Sequence, residues 1–167
     1  MVQLMLRKLK PADKTVMAQL ANNKKIWDNV RDGFGHPYSE KNAEDFILRH
    51  AHSETEKVYV INCDGVFCGL VGLIFQKDVY RKTAEIGYWI GEPYWGQGIA
   101  SKAVGLLVHH AFNELEMVRL YAGVFEFNLG SMRVLEKNGF QKEGISKKAV
   151  FKHGKIWDEH RYAKLNE

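Results

Sequence analysis

The amino-acid sequence predicts an α+β fold, in which a mostly antiparallel sheet of six or seven strands packs against a few helices. Segments rich in β-branched and aromatic residues outnumber the helical segments, and short turns join most of them. The exception is residues 83–125, where a strand, a long helix and another strand follow one another. We therefore expect these two strands to be parallel and joined by a right-handed crossover.

The elements of the first third of the chain follow from local signals. Residues 2–9 alternate loosely between apolar and polar side chains and predict a strand. Residues 11–21 predict a helix, because a proline at its first position lacks only an N–H that has no helical partner. Residues 26–38 contain two glycines and a proline, so we expect an irregular segment. Residues 39–51 predict a second helix, whose first residue, a serine, is a good N-cap.

The rest of the chain alternates between hairpins and two helices. Two hairpin turns are predicted, at Asp64-Gly65 and at His153-Gly154. The long helix at residues 97–117 has apolar side chains at every fourth position. A short helix at residues 129–138 ends where Gly139 permits a left-handed backbone. The predicted strands are residues 57–62, 66–76, 83–90, 118–125, 146–151 and 156–165.

Composition excludes several classes of protein. The 167 residues fit one domain, and 46% hydrophobic with 12% aromatic residues exclude a disordered chain. A net charge of +4 suits a small anionic ligand and does not indicate nucleic-acid binding. The longest apolar run, residues 66–75, is too short to span a membrane. No histidine pair has the spacing of a metal site, so no metal is expected.

Two cysteines, Cys63 and Cys68, flank the first hairpin turn. The beginning of the chain is too short and broken in its apolar residues for a secretory signal. We therefore expect a cytoplasmic protein with two reduced, half-buried thiols. A strained cross-hairpin disulfide is the alternative.

The segment most informative about chemistry is YWGQGIAS, residues 94–101. Gly96 and Gly98 leave backbone N–H groups uncovered where a strand gives way to the long helix, and the helix N-terminus adds positive charge. This corner suits a pyrophosphate, although a tight turn without a ligand is the alternative. Ser101 stands where a dinucleotide fingerprint needs a third glycine, and no G-K-[ST] motif follows.

Three segments together resemble a known family. AEIGYWI followed by YWGQGIA, within residues 84–100, is similar to the acyl-CoA-binding motif of the GCN5-related N-acetyltransferases (GNAT). Residues 128–140 (NLGSMRVLEKNGF) and 34–38 (FGHPY) resemble blocks of the RimJ/RimL-like branch, in the same order and spacing. The resemblance covers nearly the whole chain.

The resemblance implies one acetyltransferase domain, residues 1–167, with a splayed parallel strand pair at the centre of the sheet and helices on both faces. It implies transfer of an acetyl group from acetyl-CoA to a primary amine by direct attack on the thioester, by a monomer or homodimer. The acceptor would be a protein N-terminus or a small amine. A non-catalytic acyl-CoA-binding or sensing domain is the alternative.

The resemblance also assigns residues of the donor site. Backbone N–H groups of the glycine-rich loop would bind the pyrophosphate, and the splayed strand would pair with the pantetheine arm, with an N–H near Ile90 facing the thioester oxygen. Asn128 would bind the pantetheine, and Ser131 would lie near the sulfur. The loop and strand residues are Gly96, Gln97, Gly98, Ile99, Ala100, Ser101, Tyr88, Trp89 and Ile90.

The reaction needs a neutral amine and benefits from a proton donor for the leaving thiolate. Glu85 is the candidate base, acting through a water, and a structural ion pair or an exposed carboxylate is the alternative. Ser131 is the candidate donor, and capping of the following helix is the alternative. Leu135 replaces a tyrosine that many members of the family use as the acid. Val150 occupies the place of a glutamate found in RimL-type enzymes.

The acceptor site is expected beside Phe34, His36 and Tyr38. His36 could bind the substrate or act as a base, and loop packing is the favoured alternative. The charge run Asp158, Glu159 and His160 could bind an ammonium group, although a solvated run is favoured. A deep acidic pocket would favour a polycation, and an open groove would favour the end of a peptide.

Overall fold

Seven strands form one sheet in the computed structural model of the protein, which describes residues 3–167. The strands are β1 (Leu4–Lys8), β2 (Glu56–Cys63), β3 (Val66–Phe75), β4 (Thr83–Ile90), β5 (Arg119–Phe125), β6 (Gln141–Lys152) and β7 (Lys155–Leu165). The helices are α1 (Lys14–Ala21), α2 (Lys24–Trp27), α3 (Glu40–Ala51), α4 (Ile99–Asn113) and α5 (Leu129–Lys137). The strand order is β1-β2-β3-β4-β5-β7-β6, and only β4 and β5 are parallel neighbours. The predicted α+β class and the parallel pair are confirmed.

Several local predictions are confirmed in detail. Ser39 caps α3, because its hydroxyl accepts a hydrogen bond from the Asn42 N–H at 3.2 Å. Asp64 and Gly65 turn the β2–β3 hairpin with φ values of 49° and 87°. The strand predicted at residues 2–9 is observed as β1, and residue 2 lies outside the described residues.

Several predicted boundaries are wrong. The helix predicted from residue 11 begins as α1 at Lys14, after a 3-10 turn at Pro11–Asp13. The long helix begins at Ile99 rather than at residue 97, because Gly98 has a left-handed backbone with φ 75°. It ends at Asn113, four residues before the predicted end. Strand β6 begins at Gln141, five residues early, since its pairing with β7 extends that far. The short helix α2, which the Asn23 side chain caps, begins before the segment predicted as irregular and includes its first two residues.

The central feature of the sheet is a fork between β4 and β5. These strands pair only at Thr83–Glu85 with Arg119–Tyr121, whereas β4 pairs with β3 along its whole length. The Gly91 N–H donates to the Cys68 carbonyl of β3 at 2.8 Å. Because backbone groups alternate along a strand, Tyr88 and Ile90 direct theirs to the opposite edge, into the fork.

Helices cover both faces of the sheet, as the resemblance implied. One hydrophobic cluster joins α4 and α5 to buried strand residues such as Ile61 and Leu120. The other joins α1 and α3 to the opposite face, which includes Val60 and Leu70. Among residues 3–167, no helix is long and apolar enough to cross a membrane.

The two cysteines are free, so the predicted reduced thiols are confirmed and the disulfide is excluded. Both are buried rather than half-buried, Cys63 at 7% exposure and Cys68 at 0%. Burial raises the pKa of the Cys68 thiol to about 12, with a further contribution from its hydrogen bond to Cys63. Cys68 is therefore an unreactive core residue at neutral pH.

Candidate active site

The glycine-rich loop forms an open corner at the start of α4. Gly96 and Gly98 have φ values of 74° and 75°, and a Cβ at either position would have no neighbour within 4 Å among residues 3–167. In the described part of the chain, the backbone N–H groups of residues 96–101 have no hydrogen-bond partner. The side chain of Ile99 anchors the loop in the core. Six consecutive donors without a protein partner thus lie at the N-terminus of a helix, an arrangement that suits a pyrophosphate.

Side chains at the loop stabilise its shape rather than fill it. The Trp95 indole N–H donates to the Ile90 carbonyl at 2.7 Å, which ties the loop to the end of β4. The Gln97 Nε2 donates to the Pro93 carbonyl at 3.0 Å, which holds this side chain against the segment before the loop. Ala100 and Ser101 form the first turn of α4.

Two hydroxyl groups meet on the α5 side of the fork. The Tyr88 Oη lies 2.7 Å from the Ser131 Oγ, and burial raises the pKa of Tyr88 to about 12, although its hydrogen bond with Ser131 acts to lower it. Asn128 caps α5, because its Oδ1 accepts the Ser131 N–H at 3.2 Å. The alternative that Ser131 itself caps this helix is therefore wrong, and its hydroxyl contacts Tyr88 instead.

Glu85 lies on the other face of the fork. Its side chain is only 16% exposed, so the exposed-carboxylate interpretation is wrong. It forms an ion pair with Arg31, and its role as the base stays a prediction. Glu85 lies opposite Tyr121 in the short parallel ladder, which places both side chains on one face. A carboxylate beside the fork could accept a proton from an amine or bind its ammonium form.

The predicted acceptor loop packs against this face. Phe34 contacts the Trp89 ring edge-to-face, with ring centroids 5.8 Å apart. Tyr38 is 6% exposed, and burial raises its pKa to about 12, so it is a core residue rather than a substrate contact. His36 stacks on Trp27 at 5.7 Å, which agrees with the loop-packing interpretation.

Lys152 fastens the acceptor loop to β6. Its side chain is 3% exposed, and its ammonium donates to the Val30 carbonyl at 3.0 Å and to Asp32 at 2.7 Å. It also lies 4.0 Å from the centroid of the Trp27 ring. Because its donors are committed within the protein, Lys152 positions the loop rather than binding a substrate.

Sequence reasoning undervalued Glu159. Its side chain is 16% exposed, is held by Arg161 at 2.8 Å, and occupies the space that a side chain at Gly123 would fill. The guanidinium of Arg161 lies over the Tyr121 ring at 5.4 Å. The sequence could have singled out Glu159, because side chains alternate between the two faces of a strand. This alternation places Glu159 on the opposite face from Asp158 and His160.

The remaining residues of that run have other surroundings. Asp158 forms an ion pair with Lys147 at 2.8 Å and accepts the Lys148 N–H at 2.8 Å, and these contacts lower its pKa. By strand alternation, His160 shares the side of Asp158, away from Glu159.

A cleft of about 240 Å³ opens beside Glu159. Its charged lining is balanced between two cations and two carboxylates, and Val150 contributes an apolar wall. Leu135 lies elsewhere, fully buried in the core. The lining includes Arg31, Asp32, Phe125, Val150, Lys152 and Glu159.

Comparisons with known proteins agree with this geometry. The family model described as an acetyltransferase (GNAT) domain matches residues 3–141. The probable N-acetyltransferase YjcK of Bacillus subtilis is 46% identical over 95 residues, which are 55% of this chain and about half (52%) of that protein. The spermidine N(1)-acetyltransferase of Escherichia coli K12 is 33% identical over 83% of this chain and 73% of its own length. A crystal structure of RimL, a ribosomal L7/L12 α-N-protein acetyltransferase in complex with coenzyme A, superposes with a TM-score of 0.86 at 26% identity, covering 97% of this chain and 93% of that one.

Proposed function

Because the chain belongs to the GNAT acetyltransferase family and is an acetyl-CoA-dependent N-acyltransferase of the RimJ/RimL-like branch, we propose that it acetylates a primary amine by direct attack of that amine on the thioester. The observation that carries the proposal is the corner of six unpaired N–H groups beside the fork. No covalent enzyme intermediate is needed, since donor and acceptor approach from opposite faces of the fork.

The donor half of the site uses mostly backbone groups. Residues 96–101 bind the pyrophosphate of acetyl-CoA, and the free edge of β4 pairs with the pantetheine arm. The Ile90 N–H, directed into the fork, stabilises the oxyanion that develops on the thioester carbonyl. Asn128 contributes its amide Nδ2, because its Oδ1 already caps α5. Ser131 donates a hydrogen bond to the departing sulfur.

The acceptor half uses side chains on the opposite face. Glu85 is the base, and Glu159 adds a second carboxylate that binds the ammonium form of the amine. Each carboxylate is already paired with an arginine, Arg31 or Arg161. This balance of charge supports an amine with a carbonyl or carboxylate nearby, such as the amino terminus of a peptide, over a polyamine. An α-amino group is also easier to deprotonate, with a pKa of about 7.7–8.0 against about 10.4 for a lysine-type amine.

The alternative of a non-catalytic acyl-CoA-binding domain rests on Leu135 and Val150, which lack the polar groups expected there. Hydroxyl and carboxylate groups from other positions, among them Tyr88 and Glu159, stand at the fork and support turnover. The buried free thiols support the further proposal that the enzyme works in the cytoplasm. The single seven-stranded sheet supports the proposal of one domain.

Thermal unfolding with acetyl-CoA tests the donor site, with dephospho-CoA and ATP as comparators. A ligand at a hundred times its Kd adds about 2.7 kcal/mol to the stability of the native state, which is readily measured. The second step is an assay of thiol release with spermidine, free amino acids and peptides with free amino termini. Saturable stabilisation with turnover of at least one amine is expected. The absence of stabilisation at millimolar acetyl-CoA contradicts the proposal, and binding without turnover favours the non-catalytic alternative.

A further inference from the structure

The contact between Tyr88 and Ser131 joins the two sides of the fork. Tyr88 belongs to β4 and Ser131 to the first turn of α5, which follows β5. The strands themselves have separated by this point, since their pairing ends at Glu85 and Tyr121. Beyond the end of the backbone pairing, the two sides of the fork are therefore joined by the hydroxyl groups of Tyr88 and Ser131, whose oxygens lie 2.7 Å apart.

Both hydroxyl groups are held in place. The Tyr88 ring packs against the cluster beneath α4, and the Ser131 N–H is fixed by the Asn128 cap at 3.2 Å. The Tyr88 O–H has the Ser131 carbonyl oxygen as a second acceptor at 3.2 Å, but the Ser131 Oγ at 2.7 Å is the nearer of the two. Because its carbonyl, amide and hydroxyl groups all face fixed partners, Ser131 has little freedom to turn away from the fork.

The direction of the hydrogen bond decides what Ser131 can offer a ligand. A hydroxyl group has one proton to donate and accepts through its lone pairs. Burial raises the pKa of Tyr88 to about 12, with a smaller opposing contribution from Ser131, so the phenol keeps its proton at neutral pH. When that proton points at the Ser131 Oγ, the serine proton is free to point into the fork. When Ser131 donates to Tyr88 instead, no serine proton remains for a ligand.

We propose that Tyr88 is a positioning residue that donates to the Ser131 Oγ and thereby directs the serine O–H at the sulfur of coenzyme A. This inference rests on the proposed function. As the C–N bond forms and the C–S bond breaks, the electron pair goes to sulfur, and the Ser131 O–H stabilises the resulting thiolate. The proton that finally reaches sulfur is the one that the acceptor nitrogen loses, and it travels through solvent. Tyr88, on β4, thus acts through Ser131 on the leaving thiolate. It does so from a different position than the tyrosine that Leu135 replaces.

Titration of bound coenzyme A tests this role without any knowledge of the acceptor. The Kd of coenzyme A is measured by calorimetry from pH 6.5 to 9.5, with S-methyl-coenzyme A, which cannot ionise, as the reference ligand. A free thiol has a pKa of about 8.5, and lowering it by one unit in the complex tightens thiolate binding about tenfold. For the unsubstituted protein, the Kd of coenzyme A should fall about tenfold relative to the Kd of S-methyl-coenzyme A as the pH rises.

Tyr88→Phe and Ser131→Ala should each abolish most of this tightening, and the double variant should show no further loss. Tyr162→Phe is the matched control, because it removes another buried phenol, whose hydroxyl donates to Glu136 at 2.9 Å away from the fork. If Tyr88→Phe retains the tightening of the parent, the inference is wrong while the proposed function stands. If neither ligand binds the parent protein, the proposed function and the inference both fail.

Discussion

The carboxylate of Glu159 on β7 lies against the backbone of Gly123 on β5, in the space that a side chain at position 123 would occupy. Gly123 is two residues beyond Tyr121, where β5 has already parted from β4. The missing side chain therefore lets a carboxylate from the neighbouring strand reach over β5 toward the fork. Arg161 holds that carboxylate at 2.8 Å.

Gly123→Ala should displace Glu159 and weaken binding of the amine. The new methyl group meets only the far end of a flexible side chain, so the fold is retained. A lost hydrogen bond to a charged group costs about 1.5–3 kcal/mol, so the KM of the acceptor should rise about tenfold or more. Gly144→Ala is the matched control, because no described residue lies within 4 Å of a Cβ there. An unchanged acceptor KM in both Gly123→Ala and Glu159→Gln would show that Glu159 does not contact the amine.

Glu85→Gln should lower kcat while leaving the stabilisation by acetyl-CoA intact. The amide keeps the size of the side chain but cannot take a proton, and removal of a general base costs about 10²–10⁴-fold in rate. Steady-state thiol release and thermal unfolding with acetyl-CoA are measured on the same preparation. Arg31→Gln is the comparison, since it removes the ion-pair partner and leaves the carboxylate in place. A kcat for Glu85→Gln equal to that of the parent across the pH range would remove Glu85 from the mechanism.

Gly98→Ala should lower the affinity for acetyl-CoA. The left-handed backbone at φ 75° costs a non-glycine residue about 1–2 kcal/mol, and relaxation of that strain would turn the N–H groups of the loop away from one another. Gly154→Ala introduces comparable strain at φ 70° in the distant β6–β7 turn. Both variants should lose similar stability without ligand, but only Gly98→Ala should lose stabilisation by acetyl-CoA. Equal stabilisation of the two variants would mean that the loop does not bind the ligand.

Asp13→Asn should destabilise the protein at neutral pH and have a diminishing effect in acid. Burial acts to raise the pKa of Asp13, but hydrogen bonds from Arg7 at 2.7 and 2.9 Å and from the Lys10 N–H at 2.8 Å outweigh it and lower the pKa. A depressed carboxyl pKa stabilises the fold above its unfolded value of about 3.9, and this contribution disappears as the pH falls through the folded value.

The expected loss at pH 7 is about 1.5–3 kcal/mol, the range for hydrogen bonds to a charged group. Urea unfolding of parent and variant from pH 7 down to pH 2 measures it, and the two curves should converge in acid. A difference in unfolding free energy that stays constant over this range would show that ionisation of Asp13 does not contribute. Asp45→Asn is a useful control, because this exposed carboxylate on α3 pairs with Lys41 along the same helix, where an ion pair contributes little to stability.

Local sequence signals predicted most elements because their causes are local. The Ser39 cap, the Asp64-Gly65 turn and the strand at Thr83–Ile90 depend on residues only a few positions apart. The start of α4 was misplaced by two residues because periodicity does not reveal the left-handed φ of Gly98. The early start of β6 could not be predicted, since its polar residues become a strand only by pairing with β7.

The sequence by itself determined the α+β class, the glycine-rich corner and the family, because these follow from hydrophobic periodicity, backbone freedom and motif spacing within short segments. Only the tertiary structure decided which side chains meet at the fork. Glu85 meets Arg31 across 54 positions of chain, and Tyr88 meets Ser131 across 43. Such contacts depend on strand order, register and the separation of β4 from β5, which are fixed when the whole sheet packs between its helices.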